Sequence, residues 1–262
     1  MTFRQSHWNC NASAIGTWDA AGDQNHSVKH KNQTPKKGQM KKPAIHSLKL
    51  SFAALMLGAF GFASTALAGP APQPGGSYSF GKGLDDWQNI YWRWYFGGLQ
   101  VPADSNGNAV VGNVVLMPLP NAPGDGTPGH LDVTLNSGQA FFLPLWNLVG
   151  NSYTDGTPND PHVPVSVIQT LNLSFKIDGV TVMGPSNLMQ FYVAFDFDPI
   201  IQLPPAFAPY AGVIWLEGIG LTHTPFSVGT HTLQLDAVNT QPAFGYTFEY
   251  HNTWTVTVKP AP

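Results

Sequence analysis

The sequence predicts a mainly β fold, a β-sandwich or jelly roll of about eight or nine strands with one amphipathic helix near its N-terminal side. Three observations predict it. From residue 109 onward apolar residues recur with a period of two, in short runs. Gly, Pro, Asn and Asp separate those runs, as turns between short strands require. Helical spacing is confined to one segment, 84–96. A helix followed by many punctuated strands fits a layered all-β architecture.

The predicted domain starts late. Met40, Lys41 and Lys42 open a basic stretch, residues 50–62 are apolar or small, and Ala66-Leu67-Ala68 has the small-x-small form of a cleavage site. Residues 40–68 are therefore expected to be a secretory signal peptide, because the apolar run is shorter than the roughly 20 residues of a spanning helix. Residues 1–39, polar and without apolar periodicity, are expected to be a mis-assigned upstream extension. The domain then covers 69–262, secreted or periplasmic, with no stable membrane anchor after processing.

Within it, 84–96 reads as the helix. Asp85 and Asp86 place negative charge at its start, and Gly97-Gly98 supplies its end. Trp87, Ile90, Tyr91 and Trp94 follow the spacing of one buried face, with Trp92, Arg93 and Tyr95 off it. Strands are expected at 110–117, 130–135, 139–146 and 211–216. Leu171, Leu173, Phe175 and Ile177 alternate with polar residues, and Asp178-Gly179 then signals a hairpin into Val180-Thr181-Val182. Phe191, Val193, Phe195 and Phe197 alternate with Tyr192, Ala194, Asp196 and Asp198. Leu233 and Leu235 alternate likewise. Tyr246, Phe248, Tyr250, Trp254, Val256 and Val258 share one face of a closing strand.

Charge excludes one class of partner. Eight of the twelve Lys and Arg precede Gly69, so four cations face thirteen carboxylates in the domain, a net charge of −9. Four cations cannot form the basic footprint that a phosphate backbone needs, so no nucleic-acid binding is expected. The surface instead suits neutral ligands and divalent cations. Cys10, the single cysteine, lies upstream, so burial alone must hold the domain together.

The loop 151–162 gathers the strongest site candidates. Asp155, Asp160 and His162, with Asn159, offer oxygen and nitrogen donors that suit a hard cation such as calcium; no other cofactor is expected. The same Asp-Gly, Thr-Pro and Asp-Pro pairs also serve ordinary turns. Trp92, Tyr95, Trp146, Tyr153 and Tyr210 are candidates for an aromatic platform that binds a sugar or another ring. Asp196 and Asp198 project from one strand face, and Glu217 and Glu249 are the domain's glutamates; any of these suits a glycosidase-like pair or a solvated strand carboxylate. His231 shares a face with Leu233 and Leu235 and reads as a packed histidine. No EF-hand, His-Glu-x-x-His or Gly-x-Ser-x-Gly pattern is present in the sequence.

Three segments together carry a resemblance: Tyr91-Trp92-Arg93-Trp94, Gly138-Gln139-Ala140-Phe141-Phe142-Leu143-Pro144-Leu145-Trp146-Asn147, and 225–233 with its Gly229-Thr230-His231-Thr232 element. In these the chain resembles an uncharacterised family of secreted bacterial proteins. The last segment with Trp254-Thr255-Val256-Thr257-Val258 is similar to the closing strands of bacterial immunoglobulin-like domains. The stretch before Pro225 departs from the family pattern. The resemblance implies an exported sandwich and no particular activity.

The expected function is that of an exported, non-catalytic protein binding a ligand or cell-surface component, carbohydrate being the class its aromatic surplus suits. Two alternatives stand beside it: a secreted hydrolase or lyase acting on a polymer, and a structural envelope protein.

Overall fold

The period-two segments assemble into two sheets. The computed structural model describes residues 72–73, 78–120, 124–241 and 246–260. The expected extension at 1–39 and signal peptide at 40–68 lie outside these. All described residues fall in one compact unit. In chain order its elements are β1 (Pro72–Gln73), α1 (Leu84–Tyr95), β2 (Val110–Val111), β3 (Val114–Leu116), β4 (Gly129–Asn136), β5 (Ala140–Tyr153), α2 (Val165–Gln169) and β6 (Asn172–Ile177). Then follow β7 (Val180–Met183), β8 (Tyr192–Gln202), β9 (Tyr210–His223), β10 (Gly229–Gln241) and β11 (Tyr246–Lys259).

The first sheet runs β1-β9-β5-β3-β2, with β8 also paired to β9; the second runs β4-β11-β10-β6-β7. The fold is mainly β, as the sequence predicts, with a few more strands than expected. The excess comes from very short ones. The single strand expected at 110–117 is instead the β2–β3 hairpin, because Gly112 takes a positive φ of 65° and reverses the chain there. The β6–β7 hairpin forms where Asp178-Gly179 signals it, both residues at positive φ (49° and 78°), as a type I′ turn requires.

The two sheets bury a common core. Phe141, Leu143 and Leu145 of β5 and Ile219 and Leu221 of β9 meet Leu173 and Phe175 of β6, Leu233 and Leu235 of β10, and Trp254 and Val256 of β11. Trp254 is fully buried, and its indole N–H donates to the Pro118 carbonyl at 2.8 Å. The first sheet is covered on its other face too, where α1 packs Leu84, Trp87, Tyr91 and Trp92 against Val114, Leu116, Phe142, Val213 and Leu216. Burial on both faces explains why 140–146 reads as a continuous apolar run and not as an alternation.

Helix α1 begins and ends near its expected bounds. The Gly83 N–H donates to Asp86 Oδ2 at 3.1 Å, and Gly97 at φ 78° turns the chain so that the Gly98 N–H reaches the Arg93 carbonyl at 2.8 Å. Its buried stripe differs from the expected one. Trp92 lies inside it at 0 % exposure, while Ile90 and Trp94 are only partly buried. The reason is local: Gln88 turns inward and its Oε1 accepts the Trp92 indole N–H at 2.9 Å, so the helix rotates a tryptophan into the layer and satisfies its polar edge. Arg93 lies off the stripe as expected, bonded to Asn89 Oδ1 and the Pro199 carbonyl.

Candidate functional site

The site lies at the end of the first sheet where its long central strands carry the inter-sheet face onward. Directly paired residues of neighbouring strands share a face. Asp196, Trp215 and Gly150 form one such row across β8, β9 and β5; Ala194, Glu217 and Leu148 form the next; Tyr192, Ile219 and Trp146 form a third. Ile219 and Trp146 already belong to the sandwich core. Beyond them, over Trp215 and Glu217, the covering element is the loop between β5 and α2.

Glycine makes the seat possible. A Cβ at Gly150 would overlap the Trp215 indole, so the ring can lie flat across β5 because that position has no side chain. The indole N–H donates to the Asp160 carbonyl at 2.8 Å. Asp160 itself is tethered to β5. Its N–H donates to the Asn151 carbonyl at 3.0 Å, its Oδ2 accepts from the Asn151 backbone and side-chain N–H groups at 3.0 and 3.3 Å, and its Oδ1 accepts the Tyr153 hydroxyl at 2.8 Å.

Two residues on, His162 closes the loop over the sheet. Its ring stacks on Trp215, centroids 4.9 Å apart and planes 23° apart. Nδ1 lies 2.8 Å from Glu217 Oε1 and Nε2 lies 2.9 Å from Asp196 Oδ1. The second Glu217 oxygen accepts the Tyr192 hydroxyl at 3.1 Å. Side-chain exposures are 3 % for Glu217, 47 % for His162 and 76 % for Asp196, so one carboxylate is interior and the other is wet.

A carboxylate on each ring nitrogen requires an N–H on each, which is the imidazolium form. Burial works against that charge, but the hydrogen bonds to Asp196 and Glu217 and their charges outweigh it, so the His162 pKa is raised above its ordinary value. Burial and the neighbouring Glu217 carboxylate push the Tyr192 hydroxyl up to about 12, which keeps it a donor at any ordinary pH. With both nitrogens engaged, His162 has no lone pair with which to act as a general base. Glu217 is almost wholly buried beneath this segment.

The sequence candidates divide on this geometry. Asp160 and His162 come together with Asp196 and Glu217. Asp155 stands apart in its own turn, where its Oδ1 accepts the Thr157 N–H at 3.0 Å. The expected metal set of Asp155, Asp160 and His162 is thus not brought together, since Asp160 is held by Asn151 and Tyr153 and His162 by Glu217 and Asp196. Among the described residues no group of three or more His, Cys, Asp or Glu is placed to hold a metal ion. Tyr153 and Tyr210, cross-strand partners, lie 5.5 Å apart, ring centroid to centroid, and both are half-buried. Trp92 and Trp146 are corrected as platform residues: at 0 % and 5 % exposure they are core, Trp92 under the helix and Trp146 between the sheets. Tyr95 packs within the α1 layer.

A second cluster of the same chemistry sits on the outer face of the second sheet. His251 Nδ1 is 2.9 Å from Asp236 Oδ1 and its Nε2 is 2.9 Å from Glu249 Oε1. The bonds to Asp236 and then Glu249 raise the His251 pKa. His231 bonds Asp178 through Nδ1 at 2.7 Å and stacks on Phe226, a packed histidine at the β6–β7 turn, as the sequence suggests.

Sequence reasoning did not single out Trp215 or Tyr192. The signal was present in the strand periods, since Trp215 and Glu217, like Tyr192 and Asp196, stand at even spacing on one face.

No family model matches the chain, and no curated protein does. Among solved structures it is similar to a cysteine protease inhibitor, EhICP2, from Entamoeba histolytica, at 12% identity and a TM-score of 0.22, over 50% of this chain and 87% of that one.

Proposed function

We propose that the chain is an exported, non-catalytic β-sandwich protein that binds a ligand or surface component, a carbohydrate, at the edge formed by 151–162, β8 and the start of β9. The observation that carries this reading is the half-buried Tyr153–Tyr210 pair, bonded through Asp160 to the loop that also presents His162 and the exposed Asp196. Sugar rings place C–H faces on aromatic rings and hydroxyls on carboxylate acceptors, and both groups meet here. The net charge of −9 favours a neutral ligand over an anionic one. The hydrolytic alternative draws support from the Asp196 and Glu217 carboxylates, but both are committed to His162, so binding is the better account.

The test is titration of the secreted protein with neutral polysaccharides, followed by glycan array and by intrinsic fluorescence. Saturable binding that Tyr153→Ala or Tyr210→Ala weakens about tenfold, near 1.4 kcal/mol, supports the reading. Absence of binding to every neutral glycan, or equal binding by both variants, overturns it. Turnover of a polymer that is lost in Glu217→Gln favours the hydrolase instead.

A further inference from the structure

Residues 161–164 are held down differently from the rest of their loop. On one side Asp160 is fastened to β5 by backbone and side-chain bonds. On the other, α2 begins at Val165 and buries Val167 and Ile168. Between these anchors the His162 ring joins the segment to the sheet by the stack on Trp215, the bond to Glu217 and the bond to Asp196, with Val163 partly buried beside it. Beneath it Trp215 is 4 % exposed and Glu217 is 2 % exposed.

We propose that residues 161–164 form a proton-operated latch, in which imidazolium His162 clamps the segment across Trp215 and Glu217 and neutral His162 releases it, uncovering both side chains. This concerns the free protein and stands whether or not the edge binds a glycan.

The argument is geometric. A neutral imidazole keeps one N–H, so one of its two nitrogens then turns a lone pair toward a carboxylate. The groups facing His162 are Glu217 from β9 and Asp196 from β8, with Tyr192 of β8 on the far oxygen of Glu217 and Asp160 within the loop itself. Both carboxylates that touch the ring are negative, so each favours the charged ring and neither favours the neutral one. Because the raised pKa puts the midpoint above the ordinary 6.5, release sets in as pH rises through that midpoint. The neighbouring tether at Asp160 does not depend on the imidazole, which confines the motion to a short segment and leaves the sandwich intact.

The experiment is NMR on the full-length secreted protein between about pH 5.5 and about pH 8.5. It follows the His162 ring protons, the Trp215 ring protons and their relaxation by a soluble paramagnetic agent. The expected result is a several-fold rise in Trp215 relaxation with the same midpoint as the His162 titration. The Trp254 ring, fully buried between the sheets, stays protected throughout and reports that the domain remains folded. His162→Gln should show high Trp215 relaxation at every pH, and Asp196→Asn should move both midpoints down together. Trp215 relaxation that stays flat while His162 titrates overturns the latch. So does a transition that survives in His162→Gln, or a His162 midpoint below 6.5.

Discussion

Removing the Glu217 carboxylate should cost far more stability than removing the Asp196 carboxylate, although both bond the same histidine at nearly the same distance. The 2.8 and 2.9 Å contacts differ in surroundings, not in length. Asp196 is 76 % exposed, so water screens its attraction and replaces it when it is lost. An exposed pair of this kind contributes about 0.2–1 kcal/mol. Glu217 is 3 % exposed, and its loss strands two donors at once, the His162 Nδ1–H and the Tyr192 hydroxyl. An unpaired buried donor costs about 1–3 kcal/mol, and His162, 47 % exposed and still bonded to Asp196, recovers part of its share from water, so the two together cost about 2–4 kcal/mol. For a domain of this size about 2–4 °C of Tm accompany each kcal/mol. Glu217→Ala should therefore lower Tm by about 4–16 °C and Asp196→Ala by at most about 4 °C. Glu217→Gln should fall between, because its amide accepts from one donor and leaves the other unpaired, at about 1–3 kcal/mol. Urea unfolding near pH 6, where His162 is charged, gives the comparison directly, with the m-value checked for constancy. Equal costs for the two alanine variants, or a Glu217→Ala cost under about 1 kcal/mol, would refute the reasoning that burial sets the difference.

Three further outcomes follow from the same structure. Gly150→Ala should destabilise by about 1–3 kcal/mol, since its methyl group overlaps the Trp215 indole, and the loss should appear as a lower Tm in calorimetry. Trp254→Ala should cost about 3–5 kcal/mol in urea unfolding through the cavity it leaves between the sheets. The third concerns pH and the His251 cluster. Asp236 and Glu249 raise the His251 pKa above its unfolded value, so the stability it contributes is full below about 6.5 and is lost as pH rises through the folded value. His251→Gln should therefore narrow the gap between urea midpoints measured at about pH 5.5 and about pH 8.5; an unchanged gap would contradict the assignment.

Much of the fold was legible in the sequence because it depends on local period. Leu173, Phe175 and Ile177 on β6, and Trp254, Val256 and Val258 on β11, are buried at alternate positions, as their spacing says. The Asp178-Gly179 turn was equally plain. The pairing order was not, since β3 with β5 and β4 with β11 are parallel neighbours without a local connection, and nothing in adjacent residues encodes them. Nor was the true face of α1 visible. The helix buries Gln88 as well as tryptophan, and a polar residue on a buried face is the wrong sign for a count of apolar spacings.

The candidate site shows where reading by pattern stops and reading by cost can continue. His162 bonds partners 34 and 55 positions away, a distance at which no motif operates. Yet Glu217 stands among Val213, Trp215, Leu216, Ile219 and Leu221, and a carboxylate in so apolar a strand is costly to bury unless donors meet it. That cost by itself demands partners. Lys and Arg are too few in the domain to supply them, with four between 69 and 262, so a histidine or a hydroxyl is the expected donor, and Glu217 has one of each. The same scarcity accounts for the second cluster, where His251 bridges Asp236 and Glu249. In a domain so poor in fixed cations, histidines carry the positive charge that carboxylates need, and proton concentration then sets how much of that charge is present. A variant that places Arg in the seat, His162→Arg, separates the two roles: if charge alone matters, it keeps the loop closed both below and above the His162 midpoint, whereas the histidine protein opens above it. An arginine protein whose Trp215 is exposed at both pH values would show instead that the flat stack of the imidazole, and not its charge, holds the segment down.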